Sequence, residues 1–453
     1  MWLHRLSLLF LLLTPSAEVW GQDYVPWGDH PRLLLNARRL RLLQRERERA
    51  ALRWSHFELL IRGKARMPEQ GFASALYARI ATDQAEGRRA IQWALANPGD
   101  LRQLALVYDW CHHWMRPDER QTLARLLERG LAGQADTVER ARSQAFAALA
   151  LGEDAKMAGA RLKALIETWW RGGLAPELEE GPRFLSPQEV FALTELLHAI
   201  RDSLQVDLTQ DAPKFFKELA HARMMGYYPA PYPAAENEYR IPAPMTGKEP
   251  DLATACLSRA ADFALVAYDP NALESQYLQT WLMNDRLMMR SPLGAPYELL
   301  WANPYLPGVS YQHLPLIYHH GRAGRLYVRS SWGEDATWLG VFGVQLQIFE
   351  QGQIRAPKPQ ELKRGIRLAE ARVLAAAPPV QLSADGAETL FLVGLRPRLR
   401  FNLEIDDQEM DELWSDQGGI LKVSIPYATR LRITPGDGLM SGPVRPAEPK
   451  SDP

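Results

Sequence analysis

Residues 325–342, Arg325-Leu326-Tyr327-Val328-Arg329-Ser330-Ser331-Trp332-Gly333-Glu334-Asp335-Ala336-Thr337-Trp338-Leu339-Gly340-Val341-Phe342, change the hydrophobic period of this chain. Upstream, apolar residues recur at three- and four-residue spacing, the mark of amphipathic helices. Here they alternate, and β-branched and aromatic residues accumulate, as in strands with a buried face. Strand-like runs continue over 345–349, 366–373, 389–393, 398–405, 420–425 and 429–433, with Asp416-Gln417-Gly418-Gly419 as a turn signal before one of them. A run of helices followed by a run of strands predicts two segregated bodies.

Working outward, the stretch from Asn36 to about position 290 reads as roughly eleven helices separated by punctuation. Asn36 caps the first, with Leu40, Leu43, Ala50 and Trp54 facing inward while Arg39, Arg41, Arg45, Arg47 and Arg49 stay solvated. Asp100 caps a helix carrying Leu104, Tyr108, Cys111 and Met115, and Arg116-Pro117-Asp118 turns the chain into the next. Gly152, Gly172-Gly173, Pro187, Pro213, Pro250 and Asp269-Pro270-Asn271 break the rest. Periodicity leaves a bundle, a superhelix and a ring of hairpins open, although the lack of an exact repeat weighs against a regular solenoid. The Pro, Gly and charge beyond Gly436 predict a disordered tail over 436–453.

A chain of 453 residues, 46% hydrophobic and 24% charged, buries more than one core. Its formal net charge of -1 provides no field to draw in nucleic acid or an anionic membrane surface, so a charged ligand must be held by local residues. At the start, His4 and Arg5 precede the apolar run from Leu6 to Leu13, and Val19 and Gly21 are small residues placed for cleavage before Gln22. That is the pattern of a signal peptide over 1–21; the run is too short to span a bilayer, so a periplasmic or secreted protein free of the membrane is expected. Export permits disulfides, yet the two cysteines, Cys111 and Cys256, lie in apolar helical surroundings and read as buried thiols. Oligomeric state is not legible.

Three stretches resemble the heparinase II/III-like polysaccharide lyases: His30-Pro31-Arg32-Leu33-Leu34-Leu35 ahead of the first helix, the helical Tyr108-Asp109-Trp110-Cys111, and Val328-Arg329-Ser330-Ser331-Trp332-Gly333 with Asp335-Ala336-Thr337-Trp338. The resemblance implies an α+β multidomain fold, with an incomplete (α/α) toroid of helical hairpins over 22–320 and an antiparallel β-sandwich over 325–435. It also implies an acidic polysaccharide or oligosaccharide as partner. Such lyases remove the proton beside a uronate carboxylate and expel the 4-O-linked sugar, which requires a group to neutralise the carboxylate, a base, and an acid for the leaving oxygen. The sequence departs from the pattern. Where the family carries a His-x-His-x-x-Asp segment, this chain reads Gly343-Val344-Gln345-Leu346-Gln347-Ile348-Phe349-Glu350, and no histidine follows His320. A zinc site or histidine base from the β-domain is therefore excluded on this reading, and no cofactor or metal is expected. The family's helical Asn-His pair is also missing; Arg142, Ser143 and Gln144 stand in the comparable stretch.

Proline density in Tyr227-Tyr228-Pro229-Ala230-Pro231-Tyr232-Pro233, running into Glu236-Asn237-Glu238-Tyr239-Arg240, predicts a long loop. Its contents suit a sugar: Tyr228 and Tyr232 as ring platforms, Glu236 and Asn237 as polar contacts, Arg240 as a fork for a carboxylate and Tyr239 as a proton donor. A clamp packed across the toroid explains the same residues. A second cluster, Trp301, Asn303, Tyr305, Tyr311 and His313, falls where helices give way to strands; His313 is the preferred base and the others substrate contacts, against the alternative of a junction histidine bonded to backbone. His319-His320 reads as linker, because neighbours on an extended chain point to opposite sides. His112 and His113 follow Asp109 at helical spacing, which reads as a structural contact. The function classes left open are an active lyase with a relocated base, a non-catalytic glycan-binding relative, and a glycoside hydrolase using acids such as Glu236 and Asp251.

Overall fold

The computed structural model describes residues 24–439 apart from 27, 235–237 and 285–288. The signal peptide read over 1–21, and Glu236 and Asn237, lie outside the described residues. So do residues 440–453 of the tail, whereas 436–439, also read as tail, complete the last strand. Six helices make an inner ring: α1 (Gln70–Ala81), α2 (Leu101–Trp110), α3 (Val138–Leu151), α4 (Pro187–Leu204), α5 (Leu252–Tyr268) and α6 (Gly294–Trp301). Each packs on the next in that order. They are buried on nearly all sides, as in α3, where every residue from Gln144 to Leu151 is buried; a helix with no polar face belongs inside. Helices with solvated faces, such as Gln84–Ala96, Pro117–Gly130 and Leu273–Asn284, alternate with them on the outside. Between α6 and α1 the helix Leu52–Arg62 fills the gap, and Tyr297 of α6 stacks on Phe72 of α1 at 4.9 Å. The toroid of hairpins is thus present, closed on one side by stacked rings and a wedged helix. Among the described residues no helix is long and apolar enough to cross a membrane.

The inner helices start at one end of the ring, where a buried ionic cluster ties them together. Glu195 of α4, without exposed surface, takes Arg102 of α2 through both Nε (2.8 Å) and Nη2 (2.5 Å), and Arg142 of α3 at 3.0 Å. Arg102 also reaches Glu69 before α1 at 3.0 Å, and the Tyr297 hydroxyl donates to the same Glu69 carboxylate. Arg142, noted in sequence where the family carries its Asn-His pair, is committed to this cluster. The two N-terminal sequence signatures hold each other: Asp109 accepts the N–H groups of Arg32 and Leu33 at 2.8 Å and pairs with His30 at 2.6 Å, while Trp110 Nε1 donates to the Leu33 carbonyl at 2.8 Å. Asp109 thus has His30 as a histidine partner, and the His112 ring stacks on His30 at 4.0 Å.

Strands β1 (Ile317–His320), β2 (Arg325–Arg329), β3 (Trp338–Phe342), β4 (Gln345–Glu350) and β5 (Gln353–Arg355) form an antiparallel meander. The remaining strands are β6 (Ile366–Leu368), β7 (Ala371–Leu374), β8 (Val380–Ala384), β9 (Glu388–Leu392), β10 (Leu399–Ile405), β11 (Gln408–Trp414), β12 (Leu421–Ile425) and β13 (Thr429–Leu439). They make a sheet of order β12-β9-β7-β6 and another of order β8-β13-β10-β11, antiparallel except for the parallel pair β7–β9. The expected sandwich therefore has three stacked sheets. The middle one explains the run Leu390-Phe391-Leu392-Val393: Phe391 and Val393 pack with Leu326 and Val341, while Leu390 and Leu392 pack with Leu403 and Ile433. A strand covered on both faces loses the polar alternation of a half-exposed one.

The outer face of the meander docks on the ring. Trp338 Nε1 donates to the Met225 carbonyl at 2.9 Å, Tyr228 Oη to Gln347 Oε1 at 2.5 Å, and Gln347 Nε2 to the Met245 carbonyl at 2.7 Å. The strand region begins at Ile317 rather than 325, and residues 321–324 are the hairpin turn between β1 and β2.

Candidate functional site

A cleft of about 780 Å³ opens where the edge strand β1 meets the ring. One wall is the loop 178–187 and the helix Pro213–Met225; the other is β1 with its turn, and the β11–β12 turn. Both walls follow from local chemistry. Glu179 accepts the N–H groups of Lys214 and Phe215 at 3.2 and 3.0 Å, fixing the helix start on the loop. Across the cleft, Gln417 N–H donates to the Gly321 carbonyl at 3.2 Å, joining the two turns. They touch backbone to backbone: a Cβ on Gly324, at φ +60°, would lie 2.5 Å from the Gly418 Cα.

At this joint His319 Nε2 lies 2.9 Å from Asp416 Oδ2, with side chains 15% and 12% exposed. A carboxylate only accepts, so the proton sits on Nε2. Asp416 is itself fixed, because its Oδ1 accepts the N–H groups of Gly418 at 2.8 Å and Ile420 at 2.7 Å, the turn that the Asp-Gln-Gly-Gly signal announces. The His319 ring packs edge-on against Phe391 at 5.4 Å. Strand alternation sends Tyr318 and His320 the other way, where Ala323 N–H donates to His320 Nδ1 at 3.1 Å and burial pushes that imidazole's pKa down.

The charges of the cleft divide into committed and uncommitted groups. Arg183 pairs with Glu189, and Arg223 with Asp262 at 2.7 Å. Lys214, Arg322 and Arg398 line the cleft with no carboxylate partner among the described residues, and Glu180 and Glu218 line it as the acids. Phe184, Tyr318 and Trp414 supply aromatic surface. Among the described residues no three His, Cys, Asp or Glu side chains group as metal ligands.

The sequence candidates are distributed differently. The long loop is pinned at its base by Tyr228 N–H to the Ile241 carbonyl (3.1 Å) and Ala243 N–H to the Gly226 carbonyl (2.8 Å); its ends, Tyr227, Pro242 and Ala243, line the cleft, and its other described residues do not. Tyr228 is buried in the docking interface, and Tyr232 donates to Glu249 at 2.7 Å. Tyr239 is buried in a two-rung hairpin opposite Tyr232. Arg240 donates to the Pro229 carbonyl at 3.1 Å and lies 4.9 Å over the Trp281 ring, within 3.8 Å of Glu334. Trp301 is inside the ring, 4.5 Å from His198 and beneath the Arg39 guanidinium. Asn303 bonds within its own loop, receiving Tyr305 N–H at 3.1 Å, and Tyr305 is 80% exposed. Tyr311 is buried edge-on to Trp332 at 5.4 Å, and His313, exposed, lies 3.3 Å from the Tyr277 hydroxyl. Arg240 and His313 thus sit along one helix, Leu273–Asn284, and neither lines the cleft. Asp251 caps α5 through the N–H groups of Ala253 and Thr254.

One expectation is corrected. A histidine from the strand region was excluded because the boundary was set after His320, yet His319 and His320 belong to β1. The four residues Ile317-Tyr318-His319-His320 are too short and too polar to announce a strand; they become one by pairing with β2. Cys111 and Cys256 are both buried and do not bridge each other, as read.

No family model matches the sequence, and no curated protein matches it. Solved structures that resemble the chain include a heparan sulfate lyase, HepC, from Pedobacter heparinus, at 11% identity over 80% of this chain and 75% of that one, with a TM-score of 0.36. A mutant of the same lyase gives 12% identity, 81% and 75% coverage and 0.37, and a glycoside hydrolase 10%, 81% and 71%, and 0.32. Likeness at this level carries no argument about chemistry, which rests on the geometry above.

Proposed function

We propose that this chain is an exported, polysaccharide-lyase-like protein whose inter-domain cleft holds an acidic oligosaccharide, with β-elimination as its reaction where it turns over. The observation that carries the reading is the cleft itself, about 780 Å³ in size at a domain junction, with aromatic surface and three uncommitted cations, Lys214, Arg322 and Arg398. Aromatic rings cover apolar sugar faces, and guanidinium groups fork onto carboxylates. Glu180 and Glu218 in the same cleft support a second reading, hydrolysis by paired carboxylates.

The test is calorimetric titration of the mature protein with tetrasaccharides of hexuronic acids and with neutral tetrasaccharides of equal length. Uronate binding that weakens with added salt is expected, and Lys214→Ala or Arg322→Ala should each lower affinity by about 3- to 10-fold, as loss of a partly screened charged hydrogen bond does. Equal affinity for neutral and acidic sugars contradicts the acidic ligand. Loss of affinity with Tyr239→Phe or Arg240→Ala, but not with the cleft variants, moves the site to the proline-rich loop.

A further inference from the structure

The cleft contains one arrangement that binding does not require. Asp416 has both oxygens committed, one to two backbone N–H groups and one to His319, so it cannot swing toward a ligand. Its effect on His319 is to hold the proton on Nε2 and fix the ring plane, and among the described residues Nδ1 has no hydrogen-bond partner. An imidazole held through one nitrogen by a rigid carboxylate at the wall of a cleft, with its second nitrogen unpartnered among the described residues, is the geometry of a general base. A turn that needs only to be stapled is already held by Gly418 N–H, Ile420 N–H and the Gln417–Gly321 bond.

We infer that His319, oriented by Asp416, is the proton-abstracting group of this cleft, acting on the carbon-bound hydrogen beside a uronate carboxylate. This rests on the acidic-glycan reading. In the step, Nδ1 takes the proton from C5, the C–H pair becomes the C4–C5 double bond, and the C4–O bond breaks with its pair going to the departing sugar oxygen. That oxygen then takes the proton from the imidazolium or from water, so atoms and charge balance without an oxidant or reductant. Asp416 stabilises the imidazolium as it forms, and Arg322, on the turn that follows β1, is the cation of the same wall available to the substrate carboxylate. Asp416 from the β11–β12 turn is the charged group against the imidazole; Lys214 and Glu218 from the helix Pro213–Met225 face His320 on the other side of the strand, and Arg322 and Arg398 line the same cleft.

The experiment follows binding and turnover in parallel on the full mature chain, with hexuronic-acid tetrasaccharides as probe and ultraviolet absorbance of the conjugated product as readout. Wild type should give unsaturated product. His319→Gln, which keeps a donor toward Asp416, should lower kcat by about 100-fold or more while affinity holds. Asp416→Asn should lower kcat less, with affinity unchanged, because the imidazole loses the carboxylate that orients it; a stapling role leaves kcat unchanged at fixed affinity. Melting curves of both variants show that they are folded. Full turnover by His319→Gln overturns the inference, as does a product without the double bond. Binding by wild type without turnover removes the base and leaves the binding reading standing, whereas no binding of any uronate removes both.

Discussion

Glu119 is half of an ion pair with measurable consequences for stability. Arg88 forks onto it at 2.6 Å through both terminal nitrogens, and Arg116 N–H donates to it at 2.9 Å. These bonds, the Arg88 pair first, hold its pKa down to about 2 against the ordinary 4.5. A folded-state pKa below the unfolded one gives stability that is complete above about pH 4.5 and is lost as pH falls toward 2. Urea unfolding of Arg88→Ala should therefore show lower stability than wild type near neutrality, with the difference shrinking below pH 4.5. A constant difference down to the acid end would show that the pair contributes packing rather than charge. At the same scale, Glu195 is legible in sequence only as one acid among many; nothing local marks it as the buried partner of two arginines drawn from two other helices.

At the scale of elements, the change of period at 325–342 sufficed for the division into helices and strands, and the runs leading to β2, β3, β4, β9 and β12 were legible because their apolar alternation is strong. Others were hidden for particular reasons. The run over 366–373 is two strands, β6 and β7, with Ala369 at φ +48° in the turn between them. β11 reads Gln-Glu-Met-Asp-Glu-Leu-Trp, an acidic edge strand whose pairing with β10 overrides propensity. The candidate site was hidden because His319 and Asp416 stand 97 residues apart on a segment read as linker and a segment read as turn. The signals were there, a His pair and an Asx turn, but only the packing of two glycine turns joins them. Docking of the meander rests on Trp338, fully buried and bonded to the Met225 carbonyl. Trp338→Ala should destabilise the chain by about 3–5 kcal/mol, seen as a lower urea midpoint, and expose the turn 321–324 to protease. A wild-type midpoint would show that the sheet docks without it. Gly340 lies beneath the same ring, and a Cβ there would collide with it.

The whole molecule is a ring of helices with a three-layer stack of sheets set against it, and the cleft exists because the stack meets the ring along the exposed edge of β1. With a net charge of -1 the chain has no global field, so on the proposed reading recognition of an acidic sugar falls to the few cations of that cleft and is sensitive to ionic strength. The loop 227–240, the most conspicuous sequence in the chain, is pinned at its ends beside the cleft, with Arg240 over Trp281 of the helix Leu273–Asn284. Hydrogen–deuterium exchange of the mature protein, with and without a saturating hexuronic-acid tetrasaccharide, separates these roles most directly. Protection should concentrate over 178–187, 213–222, 318–322 and 414–417, the four segments that wall the cleft. Protection confined to 228–240 and 301–313, or bound sugar with exchange unchanged over those four segments, would contradict the placement of the site.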